Sequence, residues 1–275
     1  MLTSLASDLI RENRELDDLL SALSDAEWNR PTAFFGWTVR DQVLHLAQVD
    51  AFGLASMRDP EEFATIFAEV RRLQGEGVEL SEQARQAAEG LSPDDILAAW
   101  REGYETIGTR FRASDPKARM RWFGPDMSLV SFASARLMEV WAHGQDIFDM
   151  LGIVRRPTDR LRPICELGVR TFGWSFANRD EPVPPRPAVQ LSAPSGALWT
   201  WPGEAGEVRG SALDFALVVT QRRPFEETAL AADGEGARRW LEIAQCFAGA
   251  PQARALPGSR PRLPAEPEAE SGAGQ

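Results

Sequence analysis

The chain has 275 residues, of which 43% are hydrophobic, and it carries a formal net charge of −11 at pH 7. A chain of this length and composition can bury a sizeable core in one large domain or two modest ones. The acidic charge argues against a nucleic-acid-binding surface, which needs clustered lysines and arginines to displace counterions. We therefore expect a small-molecule substrate and no nucleic-acid partner.

The N-terminal residues lack the basic start and long apolar run of a signal peptide, and no stretch of the chain is long and apolar enough to span a bilayer. We therefore expect a cytoplasmic protein with no membrane partner. Cys165 and Cys246 are the only cysteines and are far apart in the sequence. This argues against a disulfide framework or a cysteine-rich zinc site, and both are expected to be buried apolar residues.

Leucines at helical spacing predict a first helix over residues 2–23, followed by a loop over 29–37. Thr38 can cap a second helix, and Asp41 can return the hydrogen bond to complete a capping box. His45 then lies about two turns inside that helix.

Further helices are predicted along the first half of the chain. Two of them start at Asp59-Pro60 and Ser92-Pro93, where a capping residue precedes a proline at the first helical position. The segment 113–127 contains two prolines, a glycine and several charges, so it is predicted to be a loop. A long helix follows over about 131–151.

The second half of the chain contains shorter predicted elements. They are, in order, a helix over 158–176, a linker over 179–187, a hairpin of 189–191 with 198–201, and helices over 211–219 and 237–247. From Pro251 onward there is no aromatic residue, and we expect a disordered tail. The predicted organisation is a metal-binding helical bundle (1–155), a helix and linker (156–185), a small α+β domain (186–250) and the tail (251–275).

Glu139 and His143 are four residues apart on a predicted helix, so their side chains can offer two ligands to one ion. The same spacing is common in solvated helix pairs. His45, the only other histidine, shares a helix face with Val49 and Phe52, which suggests that it points into the bundle. Two imidazoles and one carboxylate suit catalytic zinc or non-haem iron. A lone histidine on an apolar face is, however, more often a core residue with satisfied hydrogen bonds.

Arg136, Glu139, His143 and Asp146 fall on one stripe of the predicted helix. Such a stripe is also typical of a solvated face with salt bridges. Apolar residues within or beside it make it less polar than such a face usually is. Periodicity alone leaves the two readings open.

Two segments resemble the DinB-like metal-binding superfamily, and within it the mycothiol-dependent maleylpyruvate isomerase group. They are residues 37–46 (WTVRDQVLHL) and 136–146 (RLMEVWAHGQD). Residues 209–215 (RGSALDF) and 220–223 (TQRR) resemble the small domain of the related "wyosine base formation" branch. Together these similarities cover about residues 1–250.

The resemblance implies a mainly α fold, a DinB-like four-helix bundle with a small C-terminal α+β domain. It also implies that His45, Glu139 and His143 bind a divalent metal, with zinc preferred and iron or nickel as alternatives. Mycothiol or a similar thiol is the implied cofactor. The sequence departs from the true isomerases at residues 144–146 (GQD), so maleylpyruvate itself is not the expected substrate.

The leading hypothesis is a thiol-dependent transferase or isomerase acting on a small electrophilic substrate. Arg136 is a candidate contact for an anionic substrate, or else an ion-pair partner of Glu139. Asp146 is a candidate to orient His143 or His45. Candidate cofactor contacts are Arg222 and Arg223, whose simpler role is to complement a helix C-terminus.

Three aromatic residues, Trp37, Trp122 and Phe123, flank the predicted metal helices and are candidates to line a pocket, although such residues more often only pack. One alternative function is a thiol-independent hydrolase or lyase with Asp146 or Asp41 as general base. Another is a non-catalytic metal- and ligand-binding protein. The oligomeric state stays open, with a homodimer as one arrangement.

Overall fold

The computed structural model describes residues 2–260 and contains a four-helix bundle. Its helices are α1 (Leu2–Leu20), α3 (Val39–Arg58), α6 (Pro93–Ala113) and α7 (Leu129–Leu151). Helices α1 and α3 each contact both α6 and α7, so the four helices enclose one apolar core. The predicted mainly α fold with a four-helix bundle is confirmed.

The bundle helices begin where the sequence contains capping residues. The Thr38 hydroxyl accepts a hydrogen bond from the Asp41 backbone N–H, and the Asp41 carboxylate accepts one from the Thr38 N–H, which completes a capping box on α3. Ser92 and Asp95 form the same arrangement on α6. The Thr38–Asp41 capping box fixes the start of α3, and with it the position of His45.

Smaller elements surround the bundle. They are helices α2 (Asp25–Trp28), α4 (Pro60–Gly75) and α5 (Leu80–Ala87), and strands β1 (Arg119–Met120) and β2 (Met127–Ser128). Helix α4 starts with Asp59 as its cap, as predicted, and both α4 and α5 pack on α3. The segment predicted as a loop over 113–127 includes β1 and the start of β2, which pair antiparallel.

The C-terminal part combines a small sheet with short helices. Its elements are α8 (Arg162–Arg170), α9 (Phe172–Ala177), β3 (Ala188–Ser192), β4 (Leu198–Trp201), β5 (Glu207–Ser211), α10 (Ala212–Val219), β6 (Ala231–Asp233) and α11 (Glu235–Ile243). The strand order is β4-β3-β5-β6. The predicted hairpin is the antiparallel pair β3–β4, whereas β3 and β5 run parallel.

The helix predicted over 158–176 is interrupted. A 3₁₀ turn (Asp159–Leu161) precedes α8, and the chain leaves the α conformation at Thr171 before α9. The Thr171 hydroxyl donates to the carbonyl oxygen of Leu167 at 2.9 Å. This side-chain bond competes with the helical backbone pattern, which apolar periodicity alone does not reveal.

Helix α7 is shared by two apolar cores. Leu137 and Val140 belong to the bundle core, whereas Met138 and Trp141 belong to a second core that includes Phe215 and residues of α8–α11. Because both sides of α7 are covered, its polar residues are held in the interior. No helix within residues 2–260 combines the length and apolar composition needed to cross a bilayer.

Residues 251–260 are mostly exposed but make specific polar contacts with the rest of the chain, although the sequence predicts disorder from Pro251 onward. Arg179 donates to the carbonyl oxygen of Gln252 at 2.7 Å, and Arg260 is buried in ion pairs with Asp146 and Asp149. The composition of the tail predicts little apolar burial, but it cannot reveal buried carboxylates elsewhere that pair with an arginine. The remainder of the expected tail, 261–275, lies outside the described residues.

Candidate metal centre

The structure brings together the three residues predicted as metal ligands. The Nε2 atoms of His45 on α3 and His143 on α7 each lie 3.2 Å from Oε2 of Glu139, one turn before His143 on α7. One ligand atom from each residue lies within 4.8 Å of the others. Both imidazoles therefore converge on the same carboxylate.

The donor set fits a divalent metal. Tetrahedral zinc with bonds of about 2.0 to 2.2 Å separates neighbouring donor atoms by roughly 3.4 Å. The two observed nitrogen–oxygen distances of 3.2 Å are close to that value. Two imidazole nitrogens and one carboxylate oxygen also leave coordination positions for other ligands.

The electrostatic environment keeps His143 and Glu139 in the protonation states that bind a metal. Burial and the charges of His45 and Arg222 lower the pKa of His143 to about 4, although the hydrogen bond with Glu139 opposes this. Burial alone would raise the pKa of Glu139, but the adjacent imidazoles of His143 and His45 lower it well below the usual range. At neutral pH, His143 is therefore neutral and Glu139 is ionised, as metal ligation requires.

Gln42 orients His143, a role that was predicted for Asp146. The amide oxygen of Gln42 contacts Nδ1 of His143, and the amide nitrogen donates to the Thr32 hydroxyl at 2.8 Å. Because an amide oxygen can only accept, Nδ1 carries the proton in neutral His143, and Nε2 has its lone pair available for a metal ion and no hydrogen to donate to Glu139. Asp146 is 3.9 Å from Nδ1, too far for a hydrogen bond. Gln42 is one turn before His45 on α3, and that spacing is the only sequence signal for its role.

Two aromatic side chains, Phe34 and Trp37, pack against the histidine rings. Phe34 meets the His143 ring edge-on at 5.0 Å, and Trp37 stacks on the same ring at 6.0 Å and meets His45 at 5.4 Å. Phe35 and Gly36 between them have φ values of 49° and 72°, so the chain turns sharply there. Trp37 thus packs on the ligands themselves.

Arg136 is not the ion-pair partner of Glu139. Its Nε donates to Oδ1 of Asp50 at 2.9 Å, its Nη2 donates to the carbonyl oxygen of Leu46 at 3.1 Å, and both charged side chains are buried. Burial raises the pKa of Asp50, although the charge of Arg136 opposes the rise. The pair joins α3 to α7 beside the ligands.

Arg222 and Arg223 also form buried ion pairs. Nη2 of Arg222 donates to Asp146 at 2.7 Å, and the Arg222 guanidinium lies 4.7 Å from the Phe34 ring centroid. Arg223 donates to both carboxylate oxygens of Asp149, at 2.7 and 2.9 Å. These contacts tie the C-terminal part to α7. The structure therefore gives both arginines intramolecular partners, and the predicted cofactor contact has no support from their placement.

A cavity of about 1060 Å³ opens onto the centre. His45 and Glu139 line it, whereas His143 is not among its lining residues. Trp122 and Phe123, two of the predicted pocket residues, line it as well. Cys246 of the C-terminal part also lines the cavity, a contribution that sequence reasoning did not predict. Both cysteines are buried, as expected.

Comparison with known proteins decides the family. Residues 9–148 match the family described as the mycothiol maleylpyruvate isomerase N-terminal domain. The chain belongs to this family. Uncharacterized proteins from two strains of Mycobacterium tuberculosis are each 40% identical to it over 248 residues, which is 89% of this chain and 95% of theirs.

Solved structures share the fold of this mycothiol maleylpyruvate isomerase family member. The crystal structure of the mycothiol-dependent maleylpyruvate isomerase matches with a TM-score of 0.54 and 16% identity, covering 81% of this chain and 90% of that one. A histidine-to-alanine mutant of that enzyme gives the same TM-score and identity, with 84% and 93% covered. At this identity the similarity establishes the fold alone.

Proposed function

We propose that this protein is a metal-dependent enzyme that uses a low-molecular-weight thiol of the mycothiol type to transfer or isomerise groups on a small electrophilic substrate. The observation that carries the proposal is the convergence of His45, Glu139 and His143 beside a large cavity. These residues would hold a divalent metal, zinc first, which would supply the positive charge that lowers the pKa of a thiol. Membership of the family supports the choice of thiol.

The protein's own cysteines are poor sources of a thiolate. Although Cys246 lines the cavity, burial raises the pKa of its thiol to about 12, and the negative charge of Glu139 makes a smaller contribution in the same direction. Burial also raises the pKa of Cys165, which donates to the carbonyl oxygen of Ala212. Since the thiolate is the reactive form, these raised pKa values favour a thiol that comes from a separate molecule.

A thiol-independent hydrolase would need a general base, and neither predicted candidate is suited to the role. Asp41 caps α3 and pairs with Arg85 at 2.8 Å, and Asp146 pairs with Arg222. Burial alone would raise the pKa of both carboxyls, but the arginines and hydrogen bonds lower both. A base held ionised in an ion pair accepts protons poorly, so the contacts favour the thiol-dependent reaction.

The proposal is tested by turnover assays on zinc-loaded protein with a panel of α,β-unsaturated carbonyl electrophiles, with and without mycothiol. We expect product only when zinc and thiol are both present, and none with Glu139→Ala. Glu102→Ala removes an exposed carboxylate on α6 and serves as the matched control, with turnover unchanged. Equal turnover without thiol would overturn the proposal.

A further inference from the structure

The cavity beside the metal centre has one wall of aromatic side chains. Phe52, Phe67, Trp122 and Phe123, which we call the aromatic wall, come from α3, α4 and the segment between β1 and β2. Phe123 holds the wall together, with ring centroids 5.1 Å from Phe52, 5.3 Å from Phe67 and 5.2 Å from Trp122. The wall belongs to a small apolar cluster beside the bundle core, and Trp122 contacts both.

The wall remains incompletely covered by the protein. Phe67, Trp122 and Phe123 are only partly buried, although they pack against the buried Phe52 and Phe63. Partly exposed aromatic faces in a concave site are surfaces that an apolar ligand can cover, with favourable burial and ring contacts.

The charges of the cavity do not favour a small dicarboxylate. Arg136 lines the cavity next to the metal ligands, and its charge is balanced by the buried carboxylate of Asp50, with only its Nη1 lacking a hydrogen-bond partner among the described residues. The other charged lining residues are of both signs in equal number: Arg71, Arg162 and Arg170, with Asp8, Asp159 and Glu166. Among the described residues, the cavity therefore offers a dianion no excess of positive charge beyond that of a bound metal.

We infer that the electrophilic substrate carries an aromatic or extended conjugated apolar group, which binds against the aromatic wall while its reactive carbon faces His45 and Glu139. This inference rests on the proposed function for the reaction, but it concerns binding, which can be measured without a thiol. It distinguishes this protein from an enzyme built for a short dicarboxylate.

The test is isothermal titration calorimetry of zinc-loaded protein, without thiol, using two probes. Benzylideneacetone is a neutral aromatic enone, and maleate is a small dianion. We expect the enone to bind at least tenfold more tightly than maleate. Tighter or equal binding of maleate would overturn the inference.

Variants locate the binding surface. Phe67→Ala and Phe123→Ala should each weaken enone binding at least fivefold, because each removes half-buried apolar surface from the wall. Leu198→Ala removes an exposed apolar side chain on β4, outside the cavity, and should leave binding unchanged. Zinc content is measured for every variant. If an alanine variant no longer holds zinc, the leucine variant at the same position, Phe67→Leu or Phe123→Leu, replaces it, because leucine keeps an apolar side chain but lacks the ring. Enone binding that is indifferent to the wall variants contradicts the inference.

Failure of this inference and failure of the proposed function are distinguishable. Tight enone binding without thiol-dependent turnover of any electrophile would leave the substrate class standing and overturn the function. Thiol- and zinc-dependent turnover together with preferred binding of maleate would leave the function standing and overturn the substrate class.

Discussion

Replacing Gln42 with methionine should weaken zinc binding although Gln42 is not a metal ligand. The substitution keeps the side-chain length but removes the amide oxygen that contacts Nδ1 of His143, and the amide nitrogen that donates to Thr32. Gln42 is fully buried, so no water replaces the lost acceptor. A buried N–H without a partner costs about 1–3 kcal/mol, and loss of a residue that orients a metal ligand typically weakens affinity about 10- to 100-fold.

The assay is competition for zinc against a fluorescent chelator, with circular dichroism to establish that the variant is folded. We expect the zinc dissociation constant of Gln42→Met to rise by about 10- to 100-fold. Gln86→Met is the matched control, because Gln86 is exposed on α5 and its side-chain amide donates to Glu82. A change of less than about twofold in Gln42→Met, or an equal change in the control, would refute the role of Gln42.

Two further predictions concern stability. Arg136→Met leaves buried Asp50 without its partner, so urea denaturation should show that the free energy of unfolding falls by about 3–5 kcal/mol. The double variant Arg136→Met/Asp50→Leu should recover much of this stability. A decrease below about 1 kcal/mol in the single variant would contradict the pairing. In metal-free protein, unfolded His143 takes up a proton below pH 6.5, whereas folded His143 does so only near pH 4, so stability should fall as the pH is lowered between these values. His143→Gln should lack this part of the pH dependence. If the free energy of unfolding changes with pH by the same slope in both proteins, the prediction is wrong.

Much of the fold follows from local sequence signals. The caps at Thr38 and Ser92 and the apolar periodicity that follows each of them predict two long helices, and the structure confirms both as α3 and α6. Short elements such as β1 and α5 have no such signal, because two to eight residues contain too few periods of a pattern. The break at Thr171 depends on one side-chain hydrogen bond within an otherwise helical pattern.

The site was predictable only in part. The resemblance supplied His45, Glu139 and His143, and helical spacing explains why Glu139 and His143 point the same way. The partners of Arg136 and Arg222 are 86 and 76 residues away in the chain. Such pairings depend on how α3, α7 and the C-terminal part pack, which a single sequence does not encode in any local pattern. For the same reason the sequence predicts that Asp146 contacts and orients a histidine ligand, whereas in the structure Gln42 contacts Nδ1 of His143.

The central claim is that His45, Glu139 and His143 bind a metal ion. The most direct test is to purify the protein without added metal, quantify bound metals by mass spectrometry, and repeat the measurement on His45→Ala and Glu139→Ala. We predict about one equivalent of zinc or a similar divalent ion per chain, strongly reduced in both variants, because each loses one of three ligands. Protein that contains no metal and does not take up added zinc would contradict the claim, and the three residues would then be a hydrogen-bonded cluster inside the bundle.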